Sequence, residues 1–487
     1  MFRKIILAGI VFLIEASACA ETPLRLNVIE HRLPNGLALL MLEHHRAPIV
    51  SCSLFYRVGS ANEEPGCTGI SHLLEHMMFK GTRAIGTKDY AREEPLLKRI
   101  EELHARLSES GHGGGHEDAL PVPALKEELA RAERQADSLI TKNELWKVLT
   151  REGAEGLNAN TGRDRTQYLC SVPSNRLELW MRLESDRMSN AIFREFYRER
   201  EVILEERRLT IDDSPDGAFG EELFATAFIA HPYRWPIIGW ASDIEHITPE
   251  LLRSYYRRYY APNNAILVIV GDIRPEHVVA LANRYFGPIP SQPSPPHIVT
   301  REPAQRGKRE AHLKFDASPR VSLAYHKPAV SADDDIALNV LENILSSGRT
   351  SRLYKNLVQR KKVAVAATAS CPPSKYPSLF ILYSIPRRPH TNEDVERALR
   401  AEIETLGREP VSEWEMQKAR NQIEADFVRG CESAQNLASL IGTYEALDRW
   451  EYLNNYIPKI RAVTAEDVMR VVNTYLKEEN CTKIAIP

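Results

Sequence analysis

Two spacings of apolar residues alternate along this chain. Short runs repeat every second position, and longer ones repeat every third or fourth. Leu33-Pro34-Asn35-Gly36-Leu37 lies between two apolar runs and predicts a hairpin with an Asn-Gly turn. Ile49 to Val58 alternates as a strand, and strand character returns at Asn158-Ala159-Asn160-Thr161 and at Gln167 to Val172. Ala265 to Gly271 (AILVIVG) is apolar without a break, the pattern of a strand covered on both faces. Leu177 to Met188 and Glu195 to Arg208 carry helical spacing. So does the charged stretch 96–149, where Leu96, Ile100, Leu103 and Leu107 make one apolar stripe and Leu125, Leu129, Ala132 and Leu139 another. Gly111 to His116 separates these stripes, which predicts a helical hairpin projecting from the globule. His112 and His116, flanked by glycine, read as a solvated tip rather than a metal pair.

The pattern occurs twice. Ile247-Thr248-Pro249-Glu250 through Val270 aligns without gaps, at a constant offset, to Val463-Thr464-Ala465-Glu466 through Ile486. Tyr259 falls on Tyr475 and Asn264 on Asn480. Phe286 to Thr300 holds five prolines and reads as the linker between two related α+β domains.

Composition narrows the class. The 487 residues are 43% hydrophobic and 26% charged, an ordinary globular balance. A net charge of −3 argues against a nucleic-acid partner. Arg3 and Lys4, the apolar stretch Ile5 to Ile14 and Ala18-Cys19-Ala20 have the form of a secretory signal over residues 1–20. Its apolar stretch is too short to cross a bilayer. Export, most simply to a periplasm, is the expectation, and a lipid anchor through Cys19 is the alternative. The remaining cysteines lack C-x-x-C spacing and read as buried thiols.

The chemistry concentrates in His72-Leu73-Leu74-Glu75-His76. On a helix, positions i and i+4 share a face, so His72 and His76 can grip one metal ion while Glu75 reaches a water on it. Zinc suits these donors and lowers the pKa of a bound water to about 7. The order H-x-x-E-H is the inverzincin signature. In the second half, Asn339-Val340-Leu341-Glu342-Asn343 keeps the helical pattern but replaces both imidazoles by amides. Zinc needs a further protein ligand, and Glu199 and Glu206, two turns apart on one helix face, are the candidates.

Several segments together resemble the M16 (pitrilysin) zinc metallopeptidases, particularly the mitochondrial-processing-peptidase-like branch. They are LPNGL at 33–37, GSANEEPGCTGISHLLEHMMFKGT at 59–82, Asn158 to Thr161, Glu199 to Arg208, His231-Pro232-Tyr233 and YAPNNAILVIVGD at 260–272. The resemblance implies two homologous M16-type α/β-sandwich domains. A zinc-binding domain would occupy 21–286 with an insertion at about 96–149, then a linker at 287–310 and a non-zinc domain at 311–487. It implies a zinc endopeptidase with one Zn2+ per chain, bound by His72, His76 and Glu206. Glu75 would be the general base, Glu199 would support the site, and an extended peptide would lie along Asn158, Ala159, Asn160 and Thr161. The interval from His76 to Glu206 exceeds the family's, and removing 96–149 restores it.

One departure concerns catalysis. Members of the family use an Arg, with a Tyr seven residues later, to hold the substrate carbonyl. Those positions here are Val358 and Val365. The expectation is a heterodimer with a second M16-like subunit carrying R-x6-Y, ahead of a homodimer using other donors such as Arg352. A non-catalytic or structural-zinc subunit of a heteromeric complex is the alternative.

Overall fold

The computed structural model describes residues 25–111 and 121–487. The expected leader at 1–20 with Cys19, and the glycine-rich stretch with His112 and His116, lie outside the described residues. Two open sheets organise the rest. The first takes β1 (Ile29–Arg32), β2 (Ala38–Glu43), β3 (Ile49–Tyr56), β4 (Glu155–Thr161), β5 (Thr166–Pro173) and β6 (Ala265–Gly271) in the order β1-β2-β6-β3-β5-β4. The second takes β7 (Arg309–His312), β8 (Arg320–Lys327), β9 (Ala364–Ser370), β10 (Ser378–Pro386) and β11 (Cys481–Ile486) in the order β7-β11-β8-β10-β9. In each sheet a single pair is parallel, β2 with β6 and β7 with β11, and the remaining pairs are antiparallel. The mixed α+β architecture of two like domains is as the sequence predicts.

The repeat has a physical basis at its ends. Helix Pro249–Tyr259 precedes β6 and helix Ala465–Tyr475 precedes β11. Each helix starts at a threonine whose hydroxyl accepts a backbone N–H, at Thr248 and at Thr464. Each ends where an asparagine amide bonds a tyrosine carbonyl: Asn264 to Tyr259 at 2.8 Å, Asn480 to Tyr475 at 2.7 Å. Between the sheets, residues 286–308 form neither helix nor strand. The segment is held down, because Glu302 accepts the backbone N–H groups of Ile229, Ala230 and His231.

One face of the first sheet, with Leu39, Met41, Val50, Cys52, Leu54 and Leu267, packs under its own helices. The opposite face, with Leu40, Phe55, Ile266 and Val268, is covered by Leu437, Ala438 and Ile441 of helix Ala434–Leu447, which belongs to the second half. Ala324, Leu379, Ile484 and Ile486 of the second sheet are covered in turn by Phe219, Leu223 and Ala227 of helix Pro215–Ala227 from the first half. The halves thus exchange covering helices. The approach is close: a Cβ at Gly442 would lie 2.0 Å from the Phe55 ring, so only glycine fits there.

The expected insertion holds more than a hairpin. Helices Tyr90–Gly111 and Val122–Leu139 pair through a small core of Leu103, Leu125 and Ala132. The hairpin does not simply project, because its base is docked: Glu93 pairs with Arg194, both fully buried, and His104 stacks on Tyr197 with ring centroids 3.4 Å apart. A third helix, Glu144–Arg151, returns Leu145 and Leu149 to the main core, so the last part of 96–149 is structural to the first half.

Candidate metal centre

Gly59 to Gly69 leads into the motif helix, Ile70–Met77. Gly69 adopts a φ of +89° and abuts Gly239; a Cβ on Gly69 would lie 2.4 Å from the Ile238 carbonyl oxygen. Glu63, buried in the same loop, accepts the N–H groups of Gly69 and Ser71 at 2.8 Å each, which satisfies donors that a helix start leaves open. Burial pushes this carboxyl up to about 8 although both N–H groups pull it down. Ile70, Leu73, Leu74 and Met77 point into the core, and that burial turns His72 and His76 outward on the other face.

Helix Phe196–Arg207 packs across the motif helix and brings Glu199 and Glu206 to it. One ligand atom from each of His72, His76 and Glu206 lies within 4.8 Å of the others. Glu206 is 3.9 Å from His72 Nε2 and 3.6 Å from His76 Nε2. Ligand atoms about 2.0–2.2 Å from a tetrahedral ion stand about 3.3–3.6 Å apart, so these side chains need shift only slightly to close on zinc. Two imidazole nitrogens and a carboxylate also suit zinc chemically, so the residues present fit the metal.

Glu199 does not join that cluster. It sits behind His76, with Oε1 2.9 Å from His76 Nδ1 and Oε2 2.5 Å from Lys80 Nζ. Burial works to raise the Glu199 carboxyl, but the bonds to His76 and Lys80 prevail and hold it at about 2. An ionised carboxylate can only accept, so His76 carries its proton on Nδ1 and turns the Nε2 lone pair towards Glu206 and the metal position. Burial pulls the His76 pKa down, but the Glu199 hydrogen bond together with the charges of Glu199, Glu75 and Glu206 gives a net rise. His72 has no such carboxylate. Burial, with the charge of His76, lowers it to about 4, and its buried Nδ1 has no hydrogen-bond partner.

Glu75 lies on the same helix, and burial raises its carboxyl. Thr161, at the end of β4, donates its hydroxyl to Glu75 Oε2 at 2.5 Å. The segment 158–161 therefore reaches the centre through Thr161. Asn160 is bound instead to Gln167 on the neighbouring strand and to Arg165 in the turn before it. β4 is the last strand of its sheet and pairs only with β5 among the described residues, so its outer edge can take another strand.

Lys80, Glu63 and the Thr161–Glu75 bond escape sequence reasoning. Lys80 stands one turn beyond His76, where i,i+4 spacing is a usable signal; nothing in the sequence sends Glu63 back to Gly69. Val358 lies buried in helix Tyr354–Arg360, and Val365 is exposed on β9. Arg352, named as an alternative donor, is already held by Glu415 through two bonds of 2.8 and 2.9 Å.

Residues 39–96 match the description Insulinase (Peptidase family M16), and residues 246–423 match Peptidase M16 inactive domain. The Helicobacter pylori protein named Zinc protease PqqE is 26% identical over 459 residues, spanning 93% of this chain and 91% of its own length. The crystal structure of a protease from Helicobacter pylori superposes with a TM-score of 0.80 at 26% identity, covering 95% of this chain and all of that one. The chain is thus similar to M16 proteins in both halves. A protein of Arabidopsis thaliana named as a probable mitochondrial-processing peptidase subunit beta is 25% identical to this chain, over 93% of it and 77% of the relative. The periplasmic protease PqqL from Escherichia coli shares the fold, with a TM-score of 0.70 at 19% identity; this chain covers 48% of it.

Proposed function

We propose that this protein is an M16-type, zinc-dependent endopeptidase acting on extended peptides. The observation that carries the reading is the convergence of His72, His76 and Glu206 beside Glu75. Zinc held by His72, His76 and Glu206 would supply the Lewis-acid charge that makes a water molecule nucleophilic at neutral pH. Glu75 would serve as the general base, holding a proton from water and giving it to the leaving amine. Its raised pKa suits both tasks, and the Thr161 hydroxyl fixes which oxygen faces the substrate. The peptide adds as a strand to the open edge of β4 along Asn158 to Thr161, so main-chain hydrogen bonds set its register.

The chain lacks one part of this reaction. Neither Val358 nor Val365 can donate to a developing oxyanion, and Arg352 is engaged by Glu415. A second M16-like subunit carrying the Arg and Tyr completes the site in this reading, and a secretory signal at 1–20 would export the chain. The test uses the zinc-loaded protein purified with its native companion and a set of quenched fluorescent peptides. Hydrolysis by the complex, abolished in Glu75→Gln while zinc stays bound, is the expected result. Absence of hydrolysis in both forms overturns the peptidase reading and leaves a non-catalytic zinc subunit.

A further inference from the structure

The second half keeps a cavity where the first has its metal centre. It measures about 440 Å3 and is lined by Asn339, Glu342 and Asn343 of helix Asp333–Ser346, the counterparts of His72, Glu75 and His76. Ile423 and Asp426, on helix Glu413–Gly430, also line it, and that helix packs on Asp333–Ser346 as Phe196–Arg207 packs on the motif helix. The volume is that of a small-molecule site. Both imidazoles have gone, yet the space has not closed.

The polar groups on its wall present acceptors. Glu342 is partly buried and takes a backbone N–H from Cys371; burial raises its carboxyl, and the nearby Lys327 ammonium is committed to Asp335 at 2.5 Å. Asn343 carries a buried Oδ1 with no hydrogen-bond partner. Asn339 uses its Nδ2 on Asp335, which leaves its oxygen to present. Ser346 donates its hydroxyl to the carbonyls of Glu342 and Ala369. Asp426 is shared between Gln422 and Arg429. Much of the rest of the wall is apolar or aromatic: Ile423, Leu440 and Leu453, with Tyr444 and with Phe427 and Tyr456 at a ring separation of 5.7 Å. Acceptors including the Glu342 carboxylate, among aromatic rings, ask for a compact cation with several N–H donors and an apolar body.

The geometry points to this cavity as a binding site for a primary alkylammonium group, held by Glu342 and Asn343 against Phe427, Tyr444 and Tyr456. A free alkyl diamine and the side chain of a peptide lysine offer the same chemistry. The site is separate from the metal centre, so it does not depend on the peptidase reading.

The test is calorimetric titration of the full-length zinc-loaded protein with three probes: cadaverine, Nα-acetyl-lysine methylamide, and Nα-acetyl-norleucine methylamide, which lacks the ammonium. Binding of either amine at least about tenfold tighter than norleucine is expected, and which amine binds names the source. Glu342→Gln should weaken the amine by about tenfold or more at unchanged zinc content. Should that variant fold poorly, Leu440→Trp, which fills the cavity from its apolar side, should abolish binding while zinc is retained. Equal binding of norleucine, binding unaltered in a folded Glu342→Gln or Leu440→Trp, or no binding of either amine overturns the proposal.

Discussion

Two centres on related frameworks have diverged within one chain. In the first half, His72, Glu75, His76 and Glu206 crowd around a point, with Glu199 and Lys80 behind them setting charge and tautomer. In the second half, Asn339, Glu342 and Asn343 stand on the corresponding helix and Ile423 faces them across a cavity. The glutamate survives in both, and burial raises its pKa in both. What separates the centres is the set of lone pairs around it. Imidazole offers a neutral nitrogen donor in a fixed plane, whereas an amide oxygen is a poor zinc ligand. The comparison teaches that a buried carboxylate does not make a metal site; the two histidines and their charged support do.

The largest break in that comparison comes from Glu75→Gln. Peptide hydrolysis by the complex should fall by about 10²–10⁴-fold or more while zinc content, read by atomic absorption, is unchanged. Exchanging ligands tests the same point from both sides. His72→Asn with His76→Asn copies the second centre into the first, and zinc should no longer co-purify. Asn339→His with Asn343→His brings both imidazoles into the second centre, where Asp426 already lines the cavity, and zinc content should double; failure to double would show that the helices of the second half stand too far apart. A smaller effect is expected from Glu199→Gln. It removes the carboxylate that fixes the His76 proton, and zinc affinity in competition with a chelator should drop by about 10–100-fold.

The smallest effect is electrostatic and belongs to the first centre alone. In zinc-free protein, burial keeps His72 neutral down to about 4, so the unfolded chain takes up a proton first. Stability is therefore lost as the pH falls from 6.5 towards about 4. Glu199, held at about 2 against an ordinary 4.5, contributes stability that is complete above 4.5 and is lost as pH falls towards about 2. Urea midpoints measured across this range should decline in both windows, and Glu199→Gln should flatten the lower one.

The motif helix was legible because its evidence is local, two histidines and a glutamate within five positions. Glu206 was legible only as one of two acids on a helix face, with family resemblance choosing between them. Lys80 and Glu63 were not, since their partners meet them only after the chain has folded. The repeat could be read from β6 and β11, whose helices and asparagine caps are encoded within each segment. The covering helices could not. Ala434–Leu447 and Pro215–Ala227 show an ordinary apolar helix pattern, and no local signal says that each lies on the other half's sheet. The role of the end of the insertion is hidden for a related reason: Leu145 and Leu149 continue the apolar spacing of the hairpin but pack into the main core.

That exchange of helices has a consequence for the integrity of the chain. A protease that cut once within 290–308 would sever the backbone but not part the fragments, since each would still clasp the other's sheet through Phe219 and Leu223 on one side and Leu437 and Ile441 on the other. Neither fragment made alone would be soluble, because each would bare an apolar sheet face and an apolar helix together. The polypeptide is two lobes in outline but a single unit of inheritance, and a gene split at the linker would have to produce both pieces in the same place at the same time.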